Sequence, residues 1–367
     1  MQSVLKPKKP DLLLMIPVAV LLGFGMVMVY SASGIQSREL YNDSGVIFFK
    51  QFVAMIMGLA AFAVGFAVPH KVYRRKSVLL TGVAIVTLLL IAVKFQSAAN
   101  GATRWFYIGR FGFQPSDLAK LLAIMVVAAF ATAQFEGPKL WQRRLIPIFM
   151  IVGLFCSLIL IQPDFGTTMI IIFIVGLMLF LAGIPKKYLM IGGLLLLPLI
   201  IGLVLTKGYR FKRITDFIYN EHYQNRQAKI AIGSGGLNGL GLGQGKQKLY
   251  YLPEPHTDFI YATLGEEFGF LGTLSVVLCF FAFLLRGIYV LNRVDSPHSQ
   301  VLGAGLLLLI TTQAFMNISI TLALFPNKGI TLPFMSAGGT SLILMLGICG
   351  ILLNISRFRV VDNRVAV

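Results

Sequence analysis

Apolar stretches long enough to span a bilayer recur along almost the whole chain, at 11–32, 46–69, 77–94, 116–135, 145–162, 166–184, 188–206, 259–286, 300–324 and 329–355. A helix needs about 20 such residues to cross the hydrocarbon. Only helices and closed barrels satisfy their backbone there. The pattern predicts an all-α, polytopic membrane protein with about ten transmembrane helices, built as a single integral membrane domain over residues 1–367. Composition agrees, with 57% hydrophobic and only 13% charged residues, against roughly 25% charged in soluble domains.

Charge placement predicts the orientation, because cytoplasmic loops are rich in Lys and Arg. With the N-terminus inside, the inner segments carry most of the basic residues, among them Lys71, Arg74, Arg75, Lys76, Arg143, Arg144, Lys186 and Lys187. The short outer segments carry only Arg38, Arg104, Arg110 and Lys328. Both termini are therefore expected in the cytoplasm. The net charge of +18 predicts contact with anionic lipids. Nucleic acid is not expected as a partner, since the basic residues are scattered over short loops between spans. Cys156, Cys279 and Cys349 lie inside apolar runs and read as small buried hydrophobes.

The one long loop, 207–258, falls between the seventh and eighth runs and is expected to be extracytoplasmic, with interfacial helices. Its glycine-rich run from Gly233 to Gly245 contains no nucleotide-binding motif, because Gly245-Lys246 is followed by Gln247. It reads either as a close-approach loop for a phosphate-bearing lipid or as a series of turns. The loop ends in Glu254-Pro255-His256-Thr257-Asp258 at the start of an apolar helix. Asp258 suits a helix N-cap. The sharper alternative is a general base, a carboxylate beside partly buried aromatics. His256 stands close enough in sequence to tune it, and Glu266 and Glu267 follow near the same interface.

Other polar clusters fall at the same ends of the helices. Arg104 and Gln114-Pro115-Ser116-Asp117 precede or open the fourth run, where Asp117 and Lys120 share a helix face. Ionisable groups in a span are costly and point to function, or to a structural ion pair. Gln162-Pro163-Asp164 makes a turn in which Asp164 is a candidate cap. Lys328 and Ser336, Gly338 and Gly339 lie at the start of the tenth run, where small residues permit close packing.

These clusters resemble the SEDS family (shape, elongation, division and sporulation proteins). The matching motifs are Gln114-Pro115-Ser116-Asp117-Leu118-Ala119-Lys120, Gln162-Pro163-Asp164-Phe165-Gly166-Thr167, Gln247-Lys248 before Leu252-Pro253-Glu254, His256-Thr257-Asp258-Phe259-Ile260-Tyr261-Ala262 with Glu266-Glu267, and Leu332-Pro333-Phe334 with Ser336, Gly338, Gly339 and Ser341. The chain departs from the family pattern at Ala337, where tyrosine is usual, at Tyr261 and at Asp117. The segment from Asn327 to Pro333 resembles the division branch more than the elongation branch.

The resemblance implies a peptidoglycan glycosyltransferase in the bacterial cytoplasmic membrane. It would join lipid II units to a nascent glycan strand by inverting transfer and release undecaprenyl diphosphate. Asp258 matches the family's catalytic acid. Arg104, Lys120, Arg210 and Arg213 are candidates for the leaving diphosphate; Lys246, Lys248 and Lys328 are further candidate substrate contacts. The implied partners are a class B penicillin-binding transpeptidase, docked through membrane helices, and other division-complex proteins. No cofactor is expected; a divalent cation is compatible, but no all-protein metal cage is visible in the sequence. A lipid II flippase or a non-catalytic scaffold are the competing readings.

Overall fold

A computed structural model describes residues 8–96, 103–108, 111–133, 140–205 and 223–359. Each of the ten apolar runs contains a long helix. These are α1 (Ile16–Tyr41), α2 (Val46–Ala67), α3 (Lys76–Ala92), α4 (Pro115–Ala131), α5 (Leu140–Ile161), α6 (Phe165–Leu181), α7 (Lys186–Leu205), α10 (Ile260–Leu291), α11 (Pro297–Thr321) and α12 (Gly339–Ile355). Between α7 and α10 lie α8 (Tyr223–Gly235) and the single turn α9 (Gln247–Tyr250). A short hairpin, β1 (Phe106–Ile108) against β2 (Phe111–Phe113), precedes α4. Among the described residues, seven helices are long and apolar enough to cross a membrane.

Two boundaries differ from the sequence reading. The first helix runs on to Tyr41, because Ser31, Ala32, Ser33 and Gly34 are small and break nothing in a packed helix. The tenth run is helical only from Gly339. Ile330, Leu332, Phe334 and Met335 are buried, so their apolarity serves an irregular segment folded into the bundle.

The short helix α4 is the centre. Nearly every residue in it is buried, and it packs against α3, α5, α6 and α11. A helix enclosed on all sides needs no lipid-facing stripe, so it can hold polar side chains. The other side of the bundle is α1 against α2 and α10, with α2 lying along α12.

The α2–α12 contact depends on missing side chains. A Cβ on Gly350 would stand 2.1 Å from the carbonyl oxygen of Phe62, and one on Gly65 would stand 2.5 Å from that of Gly347. In a bilayer, close approach of backbones replaces the hydrophobic drive that holds soluble helices together.

The helix α10 is two helices joined at Gly269, whose φ of 63° and ψ of −160° lie outside helical space. The break forfeits the helical bonds from residues 270 and 271 to residues 266 and 267. The glycine-rich loop replaces them. The N–H groups of Phe270 and Leu271 donate to the carbonyls of Gly236 and Leu237, at 2.8 and 3.2 Å. The carbonyls of Glu266 and Glu267 accept from Leu240 and Gly241 at 2.9 and 3.0 Å.

At the far end of α10, Asp11 closes the bundle. Its carboxylate accepts from Arg286 Nε at 3.0 Å and Nη2 at 2.8 Å, and from Arg359. Its N–H donates to Ser356 Oγ, while Lys8 N donates to the carbonyl of Arg357.

Gly350→Val should lower the thermal midpoint of the purified protein, at a cost of about 1–3 kcal/mol for overpacking. Gly176→Val, at a site with open space around it, should not. Equal midpoints for the two variants would show that α2 and α12 do not depend on backbone contact.

Candidate functional site

Asp258 lies in the turn that feeds α10. The turn is closed by the N–H groups of Thr257 and Phe259 donating to the carbonyl of Glu254, each at 3.3 Å. Three other segments fix its backbone. Asn317 Nδ2 on α11 donates to the Asp258 carbonyl at 2.8 Å and also to that of Ile330. Ser336 Oγ donates to the Thr257 carbonyl at 2.6 Å, and the Ala337 N–H to that of His256 at 2.8 Å. Gln51 on α2 in turn donates to the Ser336 carbonyl and accepts from the Gly338 N–H.

The capping alternative for Asp258 is not what forms. The helix starts one residue later, with Phe259 at the cap position and no side-chain cap bond. The half-buried Asp258 carboxylate receives no hydrogen bond from any described residue. Burial, and then the negative charge of Glu254, push its pKa up to about 7. A Cβ on Gly329 would stand 2.9 Å from Asp258 Oδ2, so glycine there leaves the carboxylate its room. Thr257 Oγ1 donates to the exposed Glu254 carboxylate at 2.8 Å.

His256 is 6% exposed and its Nδ1 is buried without a partner. Burial, opposed by Glu254, holds the imidazole below the usual histidine range, so it is neutral at pH 7. It lines an open cavity of about 620 Å3 whose walls are otherwise mainly apolar, including Val53, Met57, Phe113, Leu118, Ile343 and Leu344. Lys50, Gln51, Gly338 and Gly339 line it too. Asp258 is not in its wall.

The remaining predicted residues divide into those brought to this end of the bundle with internal partners and those that lie elsewhere. Asp117 and Lys120 pair at 2.8 Å, both buried, and Lys120 Nζ donates to Gln313 Oε1 at 3.3 Å. Pro115 and Ser116 open α4, buried. Arg104 donates to the carbonyls of Gln162 and Pro163. Asp164 is the N-cap of α6, accepting from the Thr167 N–H at 3.1 Å and from Thr167 Oγ1; Gln114 Nε2 lies 3.4 Å from its Oδ2. Lys328 Nζ stands 4.6 Å from the centroid of the Phe165 ring. Glu266 accepts from the N–H groups of Lys246 and Gln247, and Glu267 pairs with Lys248 and accepts from Ser31 Oγ at 2.8 Å. Arg210 and Arg213 lie outside the described residues.

Sequence reasoning missed Lys50, Gln51, Gln313 and Asn317. Each is a polar residue inside an apolar run, which is the signal that marks a site within a membrane. Among the described residues, every other carboxylate that is not exposed has a cation or a donor: Asp11, Asp117, Asp164, Glu266 and Glu267. Asp258 is the exception.

The fold defines a polytopic helical membrane protein with an unpartnered carboxylate at one end of its bundle. The chain matches the cell cycle protein model for FtsW, RodA and SpoVE over residues 12–360, and it belongs to that family. It is 36% identical to a probable peptidoglycan glycosyltransferase FtsW of Geobacter sp. strain M18, over 94% of this chain and 96% of that one. It is 37% identical to the stage V sporulation protein E of Bacillus subtilis strain 168, over 96% and 98%. The solved rod shape determining protein RodA of Thermus thermophilus superposes with a TM-score of 0.70 at 26% identity, covering 96% of this chain and 98% of that one. A chain from a peptidoglycan synthase complex superposes with a TM-score of 0.77 at 23% identity, covering 96% and 99%.

Glu254→Gln removes the like charge beside Asp258. The Asp258 carboxyl should then lose its proton at a lower pH than in the parent, below about 7. Infrared difference spectra against Asp258→Asn, followed through a pH titration, would read this. An unmoved midpoint would remove Glu254 as a cause.

Proposed function

We propose that the protein polymerises peptidoglycan glycan strands from lipid II. The observation that carries this is the unpartnered Asp258 carboxylate, poised to take a proton near neutral pH, two residues along the chain from His256 in the wall of a mainly apolar cavity. A general base works best when its pKa lies near the working pH. The relatives named as peptidoglycan glycosyltransferases support the same reading.

In this mechanism Asp258 removes the proton from the acceptor sugar 4-hydroxyl. The freed oxygen attacks the anomeric carbon of the lipid-linked donor with inversion, and the bond to undecaprenyl diphosphate breaks. The cavity is apolar along most of its wall, as an isoprenoid chain requires. Lys50 and the neutral His256 line it as well, a cation for a diphosphate and a nitrogen for a hydrogen bond. Arg104 and Lys120 already have protein partners, so they serve the leaving group less directly and act by holding the site's frame.

The flippase reading is weaker. The Asp117–Lys120–Gln313 group is buried among helices and mutually satisfied, which suits a fixed strut better than a polar path. The fold shared with a chain of a synthase complex that coordinates polymerisation and crosslinking supports pairing with a transpeptidase. The loop preceding α10 and the site are taken to face outward, where lipid-linked cell-wall precursor is consumed.

Asp258→Asn should reduce strand synthesis from purified lipid II by at least about 10²-fold, with folding unchanged, since the carboxylate caps nothing. The parental rate should fall as pH drops through about 7, because the base becomes protonated. An Asn variant that polymerises near the parental rate, in the presence of the cognate transpeptidase, would remove Asp258 from the chemistry. For orientation, an impermeant thiol reagent applied to intact cells should label Gln244→Cys and not Arg75→Cys; the reverse pattern would invert the protein.

A further inference from the structure

We propose that residues 236–241 form a re-entrant hairpin that inserts into the bilayer leaflet on the Asp258 side, with Leu237 at its tip among the acyl chains. The argument begins with depth. Arg286, near the opposite end of α10, is the next charged residue on that helix after Glu267 and binds Asp11, so it sets the other margin of the hydrocarbon. Leu271 is 15 residues from Arg286 along α10, about 23 Å at 1.5 Å per residue. Gly269, where the regular rise ends, stands at about 26 Å. The hydrocarbon is about 30 Å thick. The break at Gly269 therefore falls inside the hydrocarbon margin, and Glu266 and Glu267 lie beyond it towards the Asp258 side.

The loop is registered to this ruler by its main chain. Gly236 and Leu237 bond to Phe270 and Leu271, while Leu240 and Gly241 bond back to Glu266 and Glu267. The chain thus descends from the end of α8, turns at Leu237 and Asn238, and climbs again to the edge. Backbone at that depth is tolerated only where protein satisfies it. The four bonds across the break do so for the broken helix and for the two limbs of the hairpin. Glycine is required for the fit: a Cβ on Gly239 would stand 2.1 Å from the Glu267 carbonyl oxygen.

The side chains suit the same position. Leu237 is 69% exposed, and its neighbours Phe270 and Leu271 are 55% and 58% exposed. Phe270 and Leu271 belong to a helix apolar enough to span the membrane, so their exposed faces meet lipid. Leu237 extends that surface without interruption, and Leu240 continues it towards the edge. Asn238, exposed beside Leu237, is the one polar side chain at the tip. The occupant of this surface is the acyl-chain region of one leaflet. The inference does not depend on what Asp258 does.

The test uses the full chain in lipid nanodiscs without a partner protein, with Cys156, Cys279 and Cys349 replaced by alanine. Spin labels are attached at Leu237→Cys, at Leu278→Cys as a hydrocarbon reference and at Gln244→Cys as an aqueous one. The label at 237 should be reached by oxygen in preference to a water-soluble nickel chelate, as at 278, whereas 244 should show the opposite preference. A ratio at 237 equal to that at 244 would place the hairpin in water and overturn the proposal. Shielding of 237 from both reagents would place it against protein and also overturn it. If the cysteine-free chain does not fold, Leu237→Trp in the otherwise unchanged chain gives the same reading. Its added fluorescence should be quenched by lipids brominated on their acyl chains, and absence of quenching would refute the insertion.

Discussion

Without water to accept them, backbone N–H and C=O groups inside a bilayer must find partners in the protein, and this constraint organises the molecule. It forces the ten apolar runs into helices. It also confines irregular chain to places where other segments supply bonds. The 326–338 segment is irregular yet packed in, and it is tied by Asn317 to Ile330, by Ser336 to Leu332 and by Gln51 to Ser336. The broken helix at Gly269 is completed by the loop that crosses it. Asp258 sits against the first of these, tied through Asn317 and Ser336, so its backbone is held from several sides while its carboxylate is left alone.

Charge follows a matching rule. A buried charge is tolerable when it is paired and hydrogen-bonded. Lys120 has Asp117 and Gln313; Lys248 has Glu267 and Ser31; Asp11 has two arginines. These groups spend their charge on holding helices together. Asp258 faces a like charge in Glu254 and loses hydration without compensation. Such an arrangement costs stability and holds the carboxyl ready to exchange a proton near neutral pH, the property on which the proposed role of Asp258 as a base rests.

Much of this was legible in the sequence. Helix type followed from the length of the apolar runs, and the polar clusters that mark one end of the bundle were visible as interruptions of those runs. What the letters hid has physical causes. Leu332, Pro333 and Phe334 look the same whether they continue a span or fill an irregular plug, so the tenth apolar run begins about ten residues before its helix does. Lys248 and Glu267 lie far apart in the chain, and nothing local shows that they neutralise each other. Glu266 reads as a ligand for substrate, yet its oxygens receive the N–H groups of Lys246 and Gln247. Asp258 and Asp164 read alike, each an acid ahead of a helix. Only the backbone path shows that Asp164 caps and Asp258 does not.

The Asp11 clasp has a topological corollary. Lys8 bonds Arg357, and Asp11 gathers Arg286 and Arg359, so the first and last described stretches of the chain leave from one corner of the bundle. A short linker would therefore suffice to join them into a circle without stretching across the molecule, and fresh ends could be opened at an exposed turn such as Asn42–Asp43. The order in which the helices are synthesised is in this sense separable from the arrangement they reach.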